Sequence, residues 1–227
     1  MTVATEERFW IVCHAPFAMH LQRYAGGCQA TWPIPTPSES YGLTLNLACR
    51  DVNDYNAPPA LPTCEDAPSF EIAIGDMEVR GRGEMLNHRH IYRVNKSNRD
   101  PMGVKNCIEP ARRQVLVDTT FVIGVTTEDA TMLARIEAGL RGELPSYGFL
   151  TAGNSDCMID WVRILASPPS ARWYCRLDPS QPPRPGSHRF PVWLDRRNQG
   201  RSRWAILAPT EKSDFVPERA WVRVGPS

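Results

Sequence analysis

The chain has 227 residues, of which 26 are Lys or Arg and 25 are Asp or Glu, for a formal net charge of +1 at pH 7. A chain of this length buries an adequate apolar core as one large domain or two small ones, without disulfides or a structural metal. The seven cysteines are scattered and form no C-x-x-C pair. This pattern argues against a disulfide framework and a zinc site, and we expect neither a metal nor a cofactor.

The first residues, Met1 to Arg8, carry acidic side chains where a signal peptide needs a basic start. No apolar run in the sequence approaches the roughly 18 residues of a membrane-spanning helix. We therefore expect a soluble, cytoplasmic protein with no membrane partner.

The small net charge hides a segregation of charge along the chain. Seven acids and no Lys or Arg lie between Asp51 and Glu78, whereas nine bases and three acids lie between Arg80 and Arg113. A second basic stretch, 184–203, holds six arginines and one acid. Arginine-rich segments of this kind are typical of phosphate binding and of stacking on bases. A solvated basic loop is an equally good interpretation of the pattern alone.

The predicted elements begin with a strand over Arg8–His14, a short and largely apolar run rich in strand formers. Thr36, Pro37 and Glu39 then combine a capping box with a proline at the first helical position. They predict a helix that ends near Cys49. The 21 prolines of the chain, many of them clustered, indicate that long helices are few.

Two further strands are predicted on either side of the first basic segment. Ser69–Gly75 alternates apolar and polar residues as a half-buried strand does, and Gln114–Val125 is a longer strand. Between them, glycines, Asn and Lys residues and the lack of apolar periodicity predict a long extended insertion rather than a packed element.

A second helix is predicted from Thr127, as its cap, to Leu140. Five short strands then follow, at Met158–Leu165, Arg172–Leu177, Phe190–Leu194, Arg203–Leu207 and Trp221–Val224. The order strand, helix, strand, strand, helix, strand predicts an α+β, ferredoxin-like (RRM-type) fold. We expect an RRM-like domain over 1–165 with an insertion at about 80–113, and a C-terminal β-rich region over 166–227 that forms a small second sheet.

Three segments resemble the Cas-five family of type I CRISPR effector complexes. Trp32–Ala48 resembles the family's P-T-P-S-x-x-x-G-L stretch, which follows an N-terminal strand. Tyr147–Asp160 is similar to the family's glycine-centred element, and Arg112–Asp118 resembles the strand that closes the family's thumb insertion. The form G-L-x-L-N-L-A within the first segment is most similar to the type I-B and Myxococcus-like variants.

The resemblance implies a non-catalytic, RNA-binding subunit of a Cascade complex in antiviral defence. In the family, the RRM-like sheet and the helix opened by P-T-P-S hold the repeat-derived five-prime handle of the guide RNA (crRNA). A β-hairpin thumb reaches over toward the first backbone subunit, and here the segment from about Arg80 to Arg113 takes that place. The implied partners are the crRNA handle, the first backbone subunit, the large PAM-reading subunit and target DNA near the PAM.

Candidate RNA-binding residues fall into two groups. The first surrounds the capped helix, whose free N–H groups and positive dipole end suit a phosphate, and comprises Arg23, Tyr24, Trp32, Ser38, Ser40 and Tyr41. The second belongs to the thumb and comprises Arg80, Arg82, Arg89, His90, Arg93, Lys96, Lys105, Asn106, Arg112 and Arg113. For the helix group, capping and core packing are the alternatives. Gly42, unfavourable within a helix, indicates a close approach by a strand or by RNA, and packing is the commoner cause.

Two other functions stay open on the sequence. His88, His90, Tyr92 and Lys105 are candidates for a metal-independent endoribonuclease that processes precursor crRNA. Cutting relatives use a lysine-histidine pair, and because this chain lacks a Lys-His dipeptide we expect no nuclease activity. An RRM-like module unrelated to CRISPR is the other alternative, with the acidic segment from Asp51 to Glu78 as its protein-binding face.

Overall fold

The computed structural model describes residues 7–22, 28–53, 55, 64, 66–90, 108–146, 148–178, 180, 182–195 and 199–226. The helices are α1 (Pro37–Leu47) and α2 (Met132–Leu140), with short 3-10 turns at Gln199–Arg201 and Glu218–Ala220. The strands are β1 (Glu7–Ala18), β2 (His20–Leu21), β3 (Cys28–Gln29), β4 (Thr31–Trp32), β5 (Phe70–His90), β6 (Ile108–Thr127), β7 (Trp161–Leu165), β8 (Ala171–Arg176), β9 (His188–Trp193), β10 (Arg203–Ser213) and β11 (Val222–Val224). Neither described helix is long and apolar enough to cross a membrane.

One large sheet dominates the structure, with strands in the order β7-β1-β6-β5-β8-β10-β9. Neighbours along this path are antiparallel, β11 pairs with β5, and β3 adds a short parallel pair to β6. The longest ladder joins β5 to β6, from Glu71 opposite Thr126 to His90 opposite Ile108. This strand-rich architecture, with two α-helices among the described residues, is compatible with the predicted α+β class.

The C-terminal strands continue the same sheet, so the predicted small second sheet is wrong. β8 joins β5 where Gly75 lies opposite Trp173 and Asp76 lies opposite Arg172. Gly75 permits this contact because a Cβ there would lie 2.8 Å from the Cβ of Ala171. The division of the chain near residue 165 stays a prediction.

The sheet buries apolar side chains on both faces. On one face, Phe9 and Ile11 of β1 and Ile123 of β6 pack in the same core as Leu45 and other apolar residues of α1. A second cluster contains the alternate residues of the same strands with Trp10, Val122, Trp173 and Trp221. Burial on both faces explains why the predicted first strand is almost continuously apolar, since all five residues from Phe9 to Cys13 are buried.

The ends of the elements differ from prediction where long-range pairing decides them. The capping box of α1 is confirmed, because the Thr36 side chain accepts a hydrogen bond from the Glu39 backbone and Glu39 reaches back. Thr127, the predicted cap of α2, is instead the buried last residue of β6, opposite Glu7. The helix begins only at Met132, since the sheet pairing holds Thr127 in the strand.

Candidate nucleic-acid interface

The β5–β6 hairpin carries four predicted thumb arginines whose side chains are described: Arg80, Arg82, Arg112 and Arg113. Arg82 lies opposite Leu116, and Leu86 lies opposite Arg112. Because directly opposite residues of an antiparallel pair share a face, and alternate residues of a strand do too, Arg82 and Arg112 lie on one face. Both side chains are exposed. Four residues of strand, or about 13 Å, separate their positions. The exposed Glu84 lies between them on the same face, so the hairpin presents two separate arginines with one carboxylate between them.

The charge of Arg80 is shared with neighbouring carboxylates. Its guanidinium donates to Glu78 at 3.1 Å and forms an ion pair with Asp118 at 3.0 Å. Asp118 also lies 2.8 Å from Nε2 of His14, and this hydrogen bond, with Arg80 adding to it, lowers the pKa of the Asp118 carboxyl. Arg80 is therefore a weaker candidate for phosphate binding than Arg82 or Arg112, although its side chain is exposed.

Arg113 lies in a different environment from its neighbour Arg112. Its side chain is half-buried, and its buried Nε has no hydrogen-bond partner among the described residues. β3 runs parallel to this part of β6, with Cys28 opposite Arg112 and Gln29 opposite Arg113. The hairpin base is thus covered on one edge by the segment that leads to α1.

The N-terminus of α1 already holds a carboxylate. Glu39 completes the capping box, with its Oε2 at 3.4 Å from the Thr36 nitrogen, and its Oε1 lies 2.7 Å from Nδ1 of the buried His20. A phosphate at this helix end would meet that negative charge. Ser40 and Tyr41 are buried, and the Tyr41 hydroxyl donates to the carbonyl of Pro68. For these two residues the structure favours core packing, whereas Ser38 is half-buried.

Gly42 is exposed on α1, and a Cβ placed there meets no atom within 4 Å among the described residues. Among the residues that the structure describes, no packing contact explains this glycine, and the packing interpretation finds no support there. Glycine in a helix interior costs roughly 0.5–1 kcal/mol relative to alanine. The other interpretation from the sequence, a close approach of RNA to Gly42, fits this open surface.

Trp32 lies beside an aromatic cluster and lines a cavity of about 300 Å³. Its ring lies 4.8 Å from that of Phe190 and 5.5 Å from that of His188, between centroids. Across the cavity, the Arg189 guanidinium lies 5.0 Å from the ring centroid of Trp204, which is 44% exposed. Aromatic and guanidinium surfaces of this kind stack on unpaired bases. The other residues lining the cavity are Leu21, Gln22, Pro191 and Leu194.

Arg189 and Trp204 were not among the residues predicted to bind RNA. The sequence offered two signals for them, the second basic stretch at 184–203 and the tryptophans spread through the predicted C-terminal strands. Neither signal says which residues meet. The pairing of β9 with β10 sets Trp204 opposite Pro191, two residues after Arg189, and so brings the arginine and the tryptophan together on one face.

Several predicted residues cannot be placed. Arg89 and His90 lie near the end of β5, but their side chains fall outside the described part of the structure. Arg23, Tyr24, Tyr92, Arg93, Lys96, Lys105 and Asn106 also lie outside the described residues. The described residues contain no group of three or more His, Cys, Asp or Glu side chains arranged to hold a metal ion.

No protein-family model and no curated protein matches this sequence. Among solved structures, the chain is similar to one described as a CRISPR RNA-guided surveillance complex, with a TM-score of 0.56 and 15% identity. That alignment covers 90% of this chain and 89% of the other. A second structure, described as a Cas protein, aligns over 97% of this chain and 100% of its own, with a TM-score of 0.42 and 14% identity. The chain therefore shares the overall fold of the first of these structures.

Proposed function

We propose that this chain is a non-catalytic subunit of a type I CRISPR Cascade complex, where it binds and caps the five-prime handle of the crRNA. The proposal places it in the Cas-five family, near the type I-B variants. It is supported by the sequence resemblance over Trp32–Ala48 and by the fold shared with a component of a CRISPR surveillance complex.

The proposal includes a ferredoxin-like, RRM-type core. In chain order, β1, α1, β5, β6, α2 and β7 follow the strand and helix sequence of that fold. The sheet order β7-β1-β6-β5, antiparallel throughout, supports the same assignment. The hairpin of β5 and β6 then corresponds to the second and third strands of the core in chain order, extended outward as the thumb.

The observation that carries the proposal is the hairpin face with Arg82 and Arg112. Two exposed arginines, separated along a two-stranded ribbon, offer bidentate donors to successive parts of an RNA backbone. Leu86 lies directly opposite Arg112 and is 60% exposed. An apolar side chain at this position suits a contact with protein, and we assign it to the first backbone subunit. Contacts with the large subunit and with target DNA near the PAM complete the proposal.

The experiment measures the binding of labelled handle RNA, and of a scrambled RNA, to the full chain by filter retention at several salt concentrations. Replacing both Arg82 and Arg112 by Gln removes two phosphate contacts. Because each contact to a single strand contributes about 0.7 to the salt slope, we expect the slope of log K against log salt to fall by about 1.4.

Arg141→Gln serves as the matched control, since Arg141 is an exposed arginine at the end of α2, paired with Glu143 and outside the hairpin. An unchanged slope in the double variant would contradict RNA binding by the hairpin. The same samples on a denaturing gel test the nuclease alternative. A cut within the repeat without added metal would support an endoribonuclease that processes precursor crRNA and would contradict the capping role.

A further inference from the structure

A second cavity, of about 360 Å³, lies where the hairpin, the segment before α1 and the C-terminal strands meet. Small-molecule sites occupy about 300–1,000 Å³, so the cavity has room for one nucleotide base. Asp76 and Arg82 line it from β5, Arg172 and Tyr174 from β8, and His188 from β9. The remaining lining residues are Pro33, Val79, Gly81, Gly186 and Pro209.

Asp76 is the unusual group in this cavity. Its side chain is buried, its Oδ2 accepts a hydrogen bond from Nη2 of Arg172 at 2.5 Å, and its Oδ1 has no hydrogen-bond partner among the described residues. A shift in register between Asp76 and Glu78 marks a bulge, a feature that re-aims side chains beside functional sites. A buried carboxylate oxygen without a donor is unfavourable, and N–H groups of a ligand would relieve that cost.

The other charges of the cavity select against a cation. Arg172 and Arg82 are both exposed, and each places a guanidinium at the cavity. Burial, together with Arg82, lowers the pKa of His188, so its ring is neutral at pH 7. Burial raises the pKa of Tyr174 to about 12, which keeps its hydroxyl protonated. A fitting ligand therefore has N–H donors for the carboxylate, an aromatic surface for the rings and a negative charge for the arginines.

We propose that this cavity binds a guanine nucleotide, with the N1–H and N2 amino groups of the base donating to Asp76 and the phosphate held by Arg82. Guanine presents two adjacent donors on its Watson–Crick edge, whereas adenine and cytosine present an amino group next to an acceptor. The ligand is a guanine within the crRNA, and in this respect the inference rests on the proposed function. A free guanine nucleotide has the same chemistry and is separated from RNA by the experiment.

The first arm titrates the full chain with GMP, IMP, AMP and inorganic phosphate in a calorimeter. We expect GMP to bind at least about tenfold more tightly than AMP or IMP, because each lacks the second donor. Asp76→Asn, which keeps the shape but replaces one acceptor by a donor, should abolish that preference. Equal binding of GMP and AMP by the unchanged protein would overturn the proposal, as would a preference that survives Asp76→Asn.

Because Asp76→Asn also weakens the contact with Arg172, a second variant tests the cavity without touching that pair. Gly81 lines the cavity from β5, and Gly81→Leu should fill it, since among the described residues an added Cβ there meets only the Val117 side chain, at 3.8 Å. Gly83→Leu is its control, since Gly83 lies two residues further along the strand and does not line the cavity. Loss of GMP binding in the first variant alone supports the assignment, and equal effects of both would overturn it.

The second arm compares pyrimidine-rich RNAs that contain one guanine, or inosine in its place, with the unchanged protein and with Asp76→Asn. We expect inosine to weaken retention by about tenfold, and to have no effect with Asp76→Asn. Equal retention of the guanine-containing and the inosine-containing RNA would overturn the guanine site but would not contradict the proposed function. Discrimination among mononucleotides without any RNA retention contradicts the proposed function and assigns the cavity to a free nucleotide.

Discussion

The guanidinium of Arg50 donates to the carboxylate of Asp129 at 2.9 Å, which ties the chain after α1 to the turn before α2. Asp129 also accepts hydrogen bonds from the backbone and the hydroxyl of Thr131, at 3.0 and 2.6 Å. One carboxylate thus orders the turn into α2 and links the two helical segments. The hydrogen bond from the Thr131 side chain is the main cause of the lowered pKa of Asp129, to which Arg50 adds.

We expect Asp129→Asn to lower the free energy of unfolding by about 1 kcal/mol at pH 7, a modest value because the pair is near the surface. The folded-state pKa of Asp129 lies below its unfolded value, so its contribution is complete above the unfolded pKa of about 3.9 and is lost as pH falls through the folded value. Urea unfolding at pH 7, 5 and 3 checks this. A difference between the two proteins that stays constant down to pH 3 would contradict it.

Gly42 gives a prediction in which stability and binding move in opposite directions. Since a Cβ there meets no described atom, Gly42→Ala should raise the free energy of unfolding by about 1 kcal/mol. If RNA approaches this surface, as proposed, the same methyl group should weaken retention of the handle RNA. Thermal unfolding and filter retention measure the two effects, and unchanged retention would remove Gly42 from the RNA interface.

Trp204 tests the aromatic cavity beside Trp32. Stacking of a base on an aromatic side chain contributes about 1–3 kcal/mol, so Trp204→Ala should weaken handle binding by at least about fivefold. Phe215→Ala is the control, because Phe215 is 71% exposed and does not line that cavity. Equal effects of the two substitutions in the retention assay would argue against base stacking on Trp204.

Gly75 tests the junction between the hairpin and the C-terminal strands. A Cβ at this position would lie 2.8 Å from the Cβ of Ala171 and 2.9 Å from Cγ1 of Val122, both in the buried cluster. Gly75→Ala should therefore lower the free energy of unfolding by about 1–3 kcal/mol through overpacking. Gly81→Ala, where the nearest atom is 3.8 Å away, should change it far less. Equal urea midpoints for the two variants would contradict this account of the junction.

Local chemistry in the sequence determined the start of α1 and the identity of the main strands. The capping box needs only Thr36, Pro37 and Glu39, because its hydrogen bonds close within three residues. The strands of the sheet centre were recognisable because their apolar runs are buried on one or both faces. Arg82 and Arg112 were predicted to bind RNA from the basic composition of their segment and from its resemblance to the family's thumb.

The tertiary structure decided what those local patterns left open. Thr127 is a residue type suited to a helix cap, yet it lies in a strand because it pairs with Glu7, which is far away in the sequence. Asp76 stands in the acidic stretch that would be a protein-binding face in a module unrelated to CRISPR, one of the alternatives left open by the sequence. Its contact with Arg172 joins residues 96 positions apart. Such contacts follow from strand register and shared burial, which depend on the whole sheet and have no local signature.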